Sequence, residues 1–444
     1  MTGPARPWRV LIVVALLLVY TAPSADAVGP PAVDERLLPA PGPVAPAHPT
    51  VQHDECVTAP TSPVDVPGRP HGIDLPSVWA LTRGAGQTVA VIDTGVARHR
   101  RLPHLIAGGD YVSGQDGTSD CDGHGTIVAG IIGASADPED TGGFAGIAPD
   151  VSLLSIRQSS NRFRAVDDPG GTGVGDVETL AAAVRTAADL GATVLNISTV
   201  ACLPVDAGLD DRALGAALAY AVDVKNVVVV TAAGNVGGAG QCTQHNPRRP
   251  ADAGAVAMVV SPAWYDDYVL TVGSVGSDGI ASEFSLAGPW VDVAAPGESV
   301  VSLAPAGDGL VDVAPSGLPI SGTSYAVPVV SAIAALVRAR SPELTARQVM
   351  RVIEDTAHPP PSGWDPVVGH GVVDALAAVT ATGSADPVSA GVAPVGPVPP
   401  RPSESVSGRT ALHAALGCLA LTACVAVVST AVRRSGRPGS VAQD

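Results

Sequence analysis

Residues 87–96 read QTVAVIDTGV. The run 87–92 is too short for a helix and rich in β-branched side chains, which predicts a strand. Its apolar residues do not alternate with polar ones, so both faces are expected to be buried, as in a parallel sheet covered by helices. Asp93 ends the run, and Thr94-Gly95 turns the chain. In such sheets, ligands and reactive groups collect beyond the carboxyl ends of the strands. Asp93 therefore reads either as a turn or cap residue or as a functional carboxylate.

Outward from this strand the same alternation continues. Strands are expected at 151–157, 193–197 and 227–231, and helices at 124–133, 177–190 (closed by Gly191) and 212–222. Shorter strands follow Ala263. A long helix covers 323–340 and another 345–355, with Ser341-Pro342 between them. The reading is one α/β domain over 72–380 with a mostly parallel sheet. No internal repeat is evident.

Composition narrows the function. The chain has 444 residues, net charge −17, 46% hydrophobic and only 15% charged residues. An acidic chain with one lysine, Lys225, has no basic stripe for nucleic acid. Its apolar content is too high for a disordered protein. A mean hydropathy of +0.30 points to membrane-directed segments. Residues 1–27 read as a secretory signal: Arg6 and Arg9, the apolar run VLIVVALLLV at 10–19, and Ala25-Asp26-Ala27 as cleavage site. Residues 410–432 carry no formal charge if His413 is neutral, and Arg433, Arg434 and Arg437 follow. This predicts a single transmembrane helix with a cytoplasmic tail, 433–444. The Pro-rich stretch 381–409 is then a tether. A Pro-rich extension, 28–71, precedes the domain. Everything between signal and anchor is expected outside the cytoplasmic membrane. Cys56, Cys121, Cys202 and Cys242 lie in that part and allow three pairings. No C-x-x-C occurs, which argues against zinc.

Three more positions carry chemistry. His124 lies in DGHGTIVAG (122–130) between two glycines that allow close approach of backbone or ligand. Asn235 lies in VVVVTAAGNVG (227–237), where a strand end delivers an amide, as a turn residue or an oxyanion donor. Ser324 lies in SGTSYAVPVVSAIAAL (321–336), at the start of a long apolar helix, as a plain cap or a nucleophile. Singly each signal is weak. In chain order they supply an orienting acid, a base, an electrophilic donor and a nucleophile.

The motifs DTGV, HGT, AAGN and GTS-x-A-x-P in this order resemble the subtilases, the peptidase S8 family. Together with the extension (PPAVDERLLP at 30–39), VLNISTVAC at 194–202, the tether and the membrane helix, the chain is similar to the mycosins. These are membrane-anchored subtilases associated with type VII secretion. The resemblance implies a subtilisin-like three-layer fold and an Asp93-His124-Ser324 triad, with Asn235 in the oxyanion hole. It implies disulfides Cys56–Cys121 and Cys202–Cys242, the first making the extension a permanent part of the fold. Protein or peptide substrates and type VII membrane components are the implied partners. No cofactor or metal is expected, since no carboxylates have the spacing of a calcium loop.

One departure bears on activity. Subtilases commonly carry Ser-x-Gly after the strand at 193–197, lining the substrate cleft. Here the sequence is Ser198-Thr199-Val200, with no glycine, which predicts a narrower cleft and processing rather than broad degradation. The insertion 159–176 (SSNRFRAVDDPGGTGVGD) reads as an exposed loop near the cleft, open to nicking. The function expected is a membrane-anchored serine endopeptidase that processes secreted substrates. The alternative is a structural component of the secretion machine with dispensable proteolysis.

Overall fold

Seven short runs of Val, Ile, Leu and Ala become the strands of one sheet: Thr88–Asp93 (β1), Leu105–Asp110 (β2), Ser152–Arg157 (β3), Val194–Ile197 (β4), Val228–Ala232 (β5), Leu270–Val275 (β6) and Val293–Pro296 (β7). The computed structural model describes residues 28–58, 72–138, 143–237 and 242–381. The strand order is β7-β6-β5-β4-β1-β3-β2, and every pairing is parallel. Consecutive residues of β1 from Val89 to Asp93 are all buried, so both faces of the sheet are covered.

The chain order reverses beside β1. After β1 the chain runs to β2 at one edge, returns through β3, then crosses to β4 on the other side. A crevice at the carboxyl ends forms at such a reversal. Asp93 is the last residue of β1 and sits at that point.

Helices form where the sequence predicts them. Asp176 caps Val177–Asp189 in a reciprocal box with Thr179, and Gly191 with φ 84° ends it. Thr345 and Gln348 do the same for Ala346–Asp355. The helix expected over 212–222 is α-helical only from Arg212 to Ala219 and continues as a π turn over Tyr220–Val224. Helix Thr323–Arg340 is buried nearly all round and packs on β4, β5, β6 and β7, which makes it a central rod.

The described part of the extension is folded against the domain. Thr50–Gln52 pairs antiparallel with Phe163–Ala165, inside the insertion at 159–176. The insertion is therefore not a plain loop. Ser160 bridges Val174, and Phe163 covers the guanidinium of the buried Arg157 at 4.6 Å. Residues 166–170 and 172–173 remain exposed. Upstream, Val44 packs on Gly109, where a Cβ would come within 2.5 Å of Val44 Cγ1. Arg185 donates to the Pro39 carbonyl at 3.0 Å.

The expected signal, the transmembrane helix 410–432, the cytoplasmic tail and all of the tether but Ala381 lie outside the described residues. Among the described residues no helix is long and apolar enough to cross a membrane.

Candidate active site

Asp93 is fully buried, and its Oδ1 lies 2.7 Å from His124 Nδ1. The same oxygen accepts the Thr94 N–H at 2.7 Å. His124 is the first residue of helix His124–Gly133, reached through Gly123 with φ 83°. Gly125 is required by contact: a Cβ there would come 2.1 Å from the Gly95 carbonyl oxygen and 3.2 Å from Asp93 Cβ. The two glycines of the DTG and HG motifs thus let one turn close on the other. The imidazole keeps one edge open, with 24% side-chain exposure. The Tyr325 ring packs beside it at 5.1 Å.

Burial opposes charge on His124, but the carboxylate of Asp93, backed by Asp120 and Asp122, outweighs it and raises the imidazole above its ordinary value. Asp120 is a carboxylate that sequence reasoning did not single out. It accepts Thr94 Oγ1 and the N–H and Oγ1 of Thr126, all at 2.7–2.9 Å, together with Gly123 N–H at 2.7 Å. Burial nonetheless pushes its carboxyl up to about 6. The only signal in sequence was its place four residues before His124.

Ser324 stands second in helix Thr323–Arg340, half-buried, behind Gly322. Its Oγ forms no hydrogen bond among the described residues. Asn235 follows β5, and its Oδ1 accepts the Thr323 N–H at 2.8 Å and Thr323 Oγ1 at 3.0 Å. That bond fixes the amide orientation, because the oxygen faces a donor and Nδ2 is left for the crevice. A Cβ built on Gly322 would lie 3.1 Å from Ser324 Oγ and 3.5 Å from Asn235 Nδ2. Hydroxyl and amide therefore flank one small space, which only the missing side chain of Gly322 keeps open. Thr323 is a second residue that the motif contained but whose role was not read.

Pro328 sits inside the serine helix and has no N–H to give the carbonyl four residues back, which is Ser324 O. Ser198 Oγ donates to that carbonyl at 2.9 Å and accepts from Asn196 Nδ2 at 2.9 Å. Asn196 Oδ1 accepts Ser331 Oγ at 3.0 Å. A buried polar chain thus ties β4 to the helix that carries Ser324. In the wall read as narrowing the cleft, Ser198 is buried and Val200 rests half-buried against the hydrophobic core.

Cys56 is bonded to Cys121, and Cys202 to Cys242. Val57 N–H donates to the Cys121 carbonyl at 2.8 Å, so the extension reaches the loop just before His124. Cys242 N–H donates to the Asn235 carbonyl at 2.9 Å, and its Sγ lies 3.1 Å from where a Cβ on Gly234 would be. Among the described residues no group of three or more His, Cys, Asp and Glu is placed to hold a metal.

Residues 84–371 match the model of the Subtilase family, Peptidase_S8. Mycosin-4 of Mycobacterium tuberculosis is 57% identical over 453 residues, covering 98% of both chains. The structure of MycP3 protease from the type VII (ESX-3) secretion system is similar with a TM-score of 0.73 and 45% identity, over 80% of this chain and 100% of that one. A chain in the structure of an intact ESX-5 inner membrane complex is similar with a TM-score of 0.74 and 40% identity, over 91% of this chain and 100% of that one.

Proposed function

The chain belongs to the mycosins of the subtilase family, subtilisin-like serine proteases linked to type VII secretion, and from this premise we propose that it is a membrane-anchored endopeptidase processing secreted proteins. Its domain works on the outer side of the cytoplasmic membrane, held by the helix at 410–432. The observation that carries the reading is the 2.7 Å bond between buried Asp93 and His124, whose ring packs 5.1 Å from that of Tyr325, the residue next to Ser324.

In this reading Ser324 Oγ attacks a substrate peptide carbonyl. His124 Nε2 takes the hydroxyl proton and returns it to the departing amine, and water repeats the sequence on the acyl-enzyme. Asp93 holds Nδ1–H, which selects the tautomer with a free Nε2 and stabilises the imidazolium. Asn235 Nδ2 and the Ser324 N–H stabilise the oxyanion. In unliganded enzymes the bond from nucleophile to base is often long and tightens with substrate.

A second reading, a structural component of the secretion machine with dispensable proteolysis, is favoured by the likeness to a chain in the ESX-5 inner membrane complex. One experiment separates the two. A fluorophosphonate should label the wild type and not Ser324→Ala. The secreted proteins of cells carrying each chain are then compared. Uncleaved precursors with intact secretion support the peptidase reading, whereas unlabelled wild type and identical secreted proteins reject it.

A further inference from the structure

We propose that Asp120 is a positioning residue for His124, a second carboxylate that fixes the backbone around the imidazole while Asp93 fixes its ring. The inference rests on the reading of His124 as general base. Four donors converge on two oxygens. Oδ1 accepts Thr94 Oγ1 at 2.9 Å and Gly123 N–H at 2.7 Å. Oδ2 accepts Thr126 N–H at 2.8 Å and Thr126 Oγ1 at 2.7 Å. Thr94 Oγ1 in turn accepts Gly125 N–H at 3.0 Å. Gly123, Gly125 and Thr126, the residues around His124, thus all hang from Asp120 directly or through Thr94.

The helix that starts at His124 has Gly123 as its cap, with no side chain to satisfy the free N–H groups of the first turn. Asp120 performs that task from upstream, and its charge faces the positive end of the helix. A plain cap has no need of the strand, yet Asp120 also holds Thr94. Thr94 N–H donates to Asp93 Oδ1, the oxygen bonded to the imidazole. One residue therefore joins the two carboxylates, so that ring and backbone of His124 are set together.

The charged and titratable groups facing His124 are Asp93 from β1, Asp120 and Asp122 from the preceding loop, and Tyr325 from the serine helix. The Asp120 carboxylate is among the charges that raise the imidazole against burial. Removing its charge must lower the imidazole midpoint.

The test uses the full chain in detergent and the pH dependence of the rate at which a small fluorophosphonate labels Ser324. In Asp120→Asn, either amide orientation sets an NH2 against the N–H of Gly123 or of Thr126, so one clamp breaks. The plateau rate should fall roughly tenfold or more, with the midpoint about half a pH unit lower. Thr94→Val keeps the charge and cuts the relay, so its plateau should fall about threefold with the midpoint in place. A wild-type plateau in Asp120→Asn overturns the proposal, and so does a lowered plateau at an unchanged midpoint, which marks a merely structural group. If Asp120→Asn does not fold, a wild-type plateau in Thr94→Val overturns it instead. Failure of the wild type itself to label, or labelling of Ser324→Ala, rejects the parent reading and this one with it.

Discussion

The serine helix contains a test of its own internal chemistry. Pro328 leaves the Ser324 carbonyl without a helical donor, and Ser198 Oγ supplies one from the adjoining strand at 2.9 Å. Ser198→Ala removes that bond and the one from Asn196 Nδ2, stranding a carbonyl and an amide donor in a region where Ser198 is 5% exposed. Each stranded buried group costs about 1–3 kcal/mol. Ser324 is half-buried, so the low end applies to its carbonyl, and the expected loss is about 2–4 kcal/mol. Pro328→Ala restores an N–H at the position that Ser324 O needs. In that background Ser198→Ala strands only the Asn196 amide, and its cost should shrink by about 1 kcal/mol. Cavity terms from the proline substitution appear on both arms of the cycle and cancel. The assay is chemical denaturation of the four proteins with the serine-directed label as a check of the site. Costs of Ser198→Ala that agree within about 0.3 kcal/mol in the two backgrounds would falsify the assignment of Ser198 as the surrogate donor.

Further outcomes follow from the site. The activity of the wild type should rise with pH through a midpoint above 6.5, because His124 acts when neutral and Asp93, offsetting burial, holds its proton to higher pH; a midpoint below that value contradicts the geometry. Asn235→Ala should cut turnover by roughly 10²–10³, the magnitude known from subtilisin itself, with little change in substrate KM. Thr323→Val, which removes one of the two donors that orient the Asn235 amide, should show a smaller loss of the same kind in steady-state kinetics. Reduction of Cys56–Cys121, or its replacement by serines, should cost about 4 kcal/mol for a separation of 65 residues, read from denaturation midpoints with and without reductant.

What was legible in the sequence was what local pattern dictates. The apolar run ending in Asp93, the helix starting at His124 and the helix 323–340 stand where their patterns place them, because each is decided by residues close in the chain. The edge strand Leu105–Asp110 was not read, since LIAGGD carries two glycines and too few β-branched residues to signal extended backbone. The extension strand Thr50–Gln52 was hidden for another reason. Its stability comes from Phe163–Ala165, more than a hundred residues away, and from a proline-rich neighbourhood that by itself resembles a spacer. Asp120 and Ser198 share that limit. Each looks like an ordinary loop polar residue until folding brings Thr94 or the Ser324 carbonyl to it.

The Cys202–Cys242 bond has a consequence for how the site can deform. It joins the segment after Ser198 to the loop of Asn235, while Ala201–Pro204 is also paired with Met258–Ser261. The segment beyond Ser198 and the loop of Asn235 are thus closed into one covalent ring, which limits how far the two can separate. Any widening at the loop of Asn235 therefore has to carry Ala201–Pro204 with it, and through the strand pairing Met258–Ser261 as well.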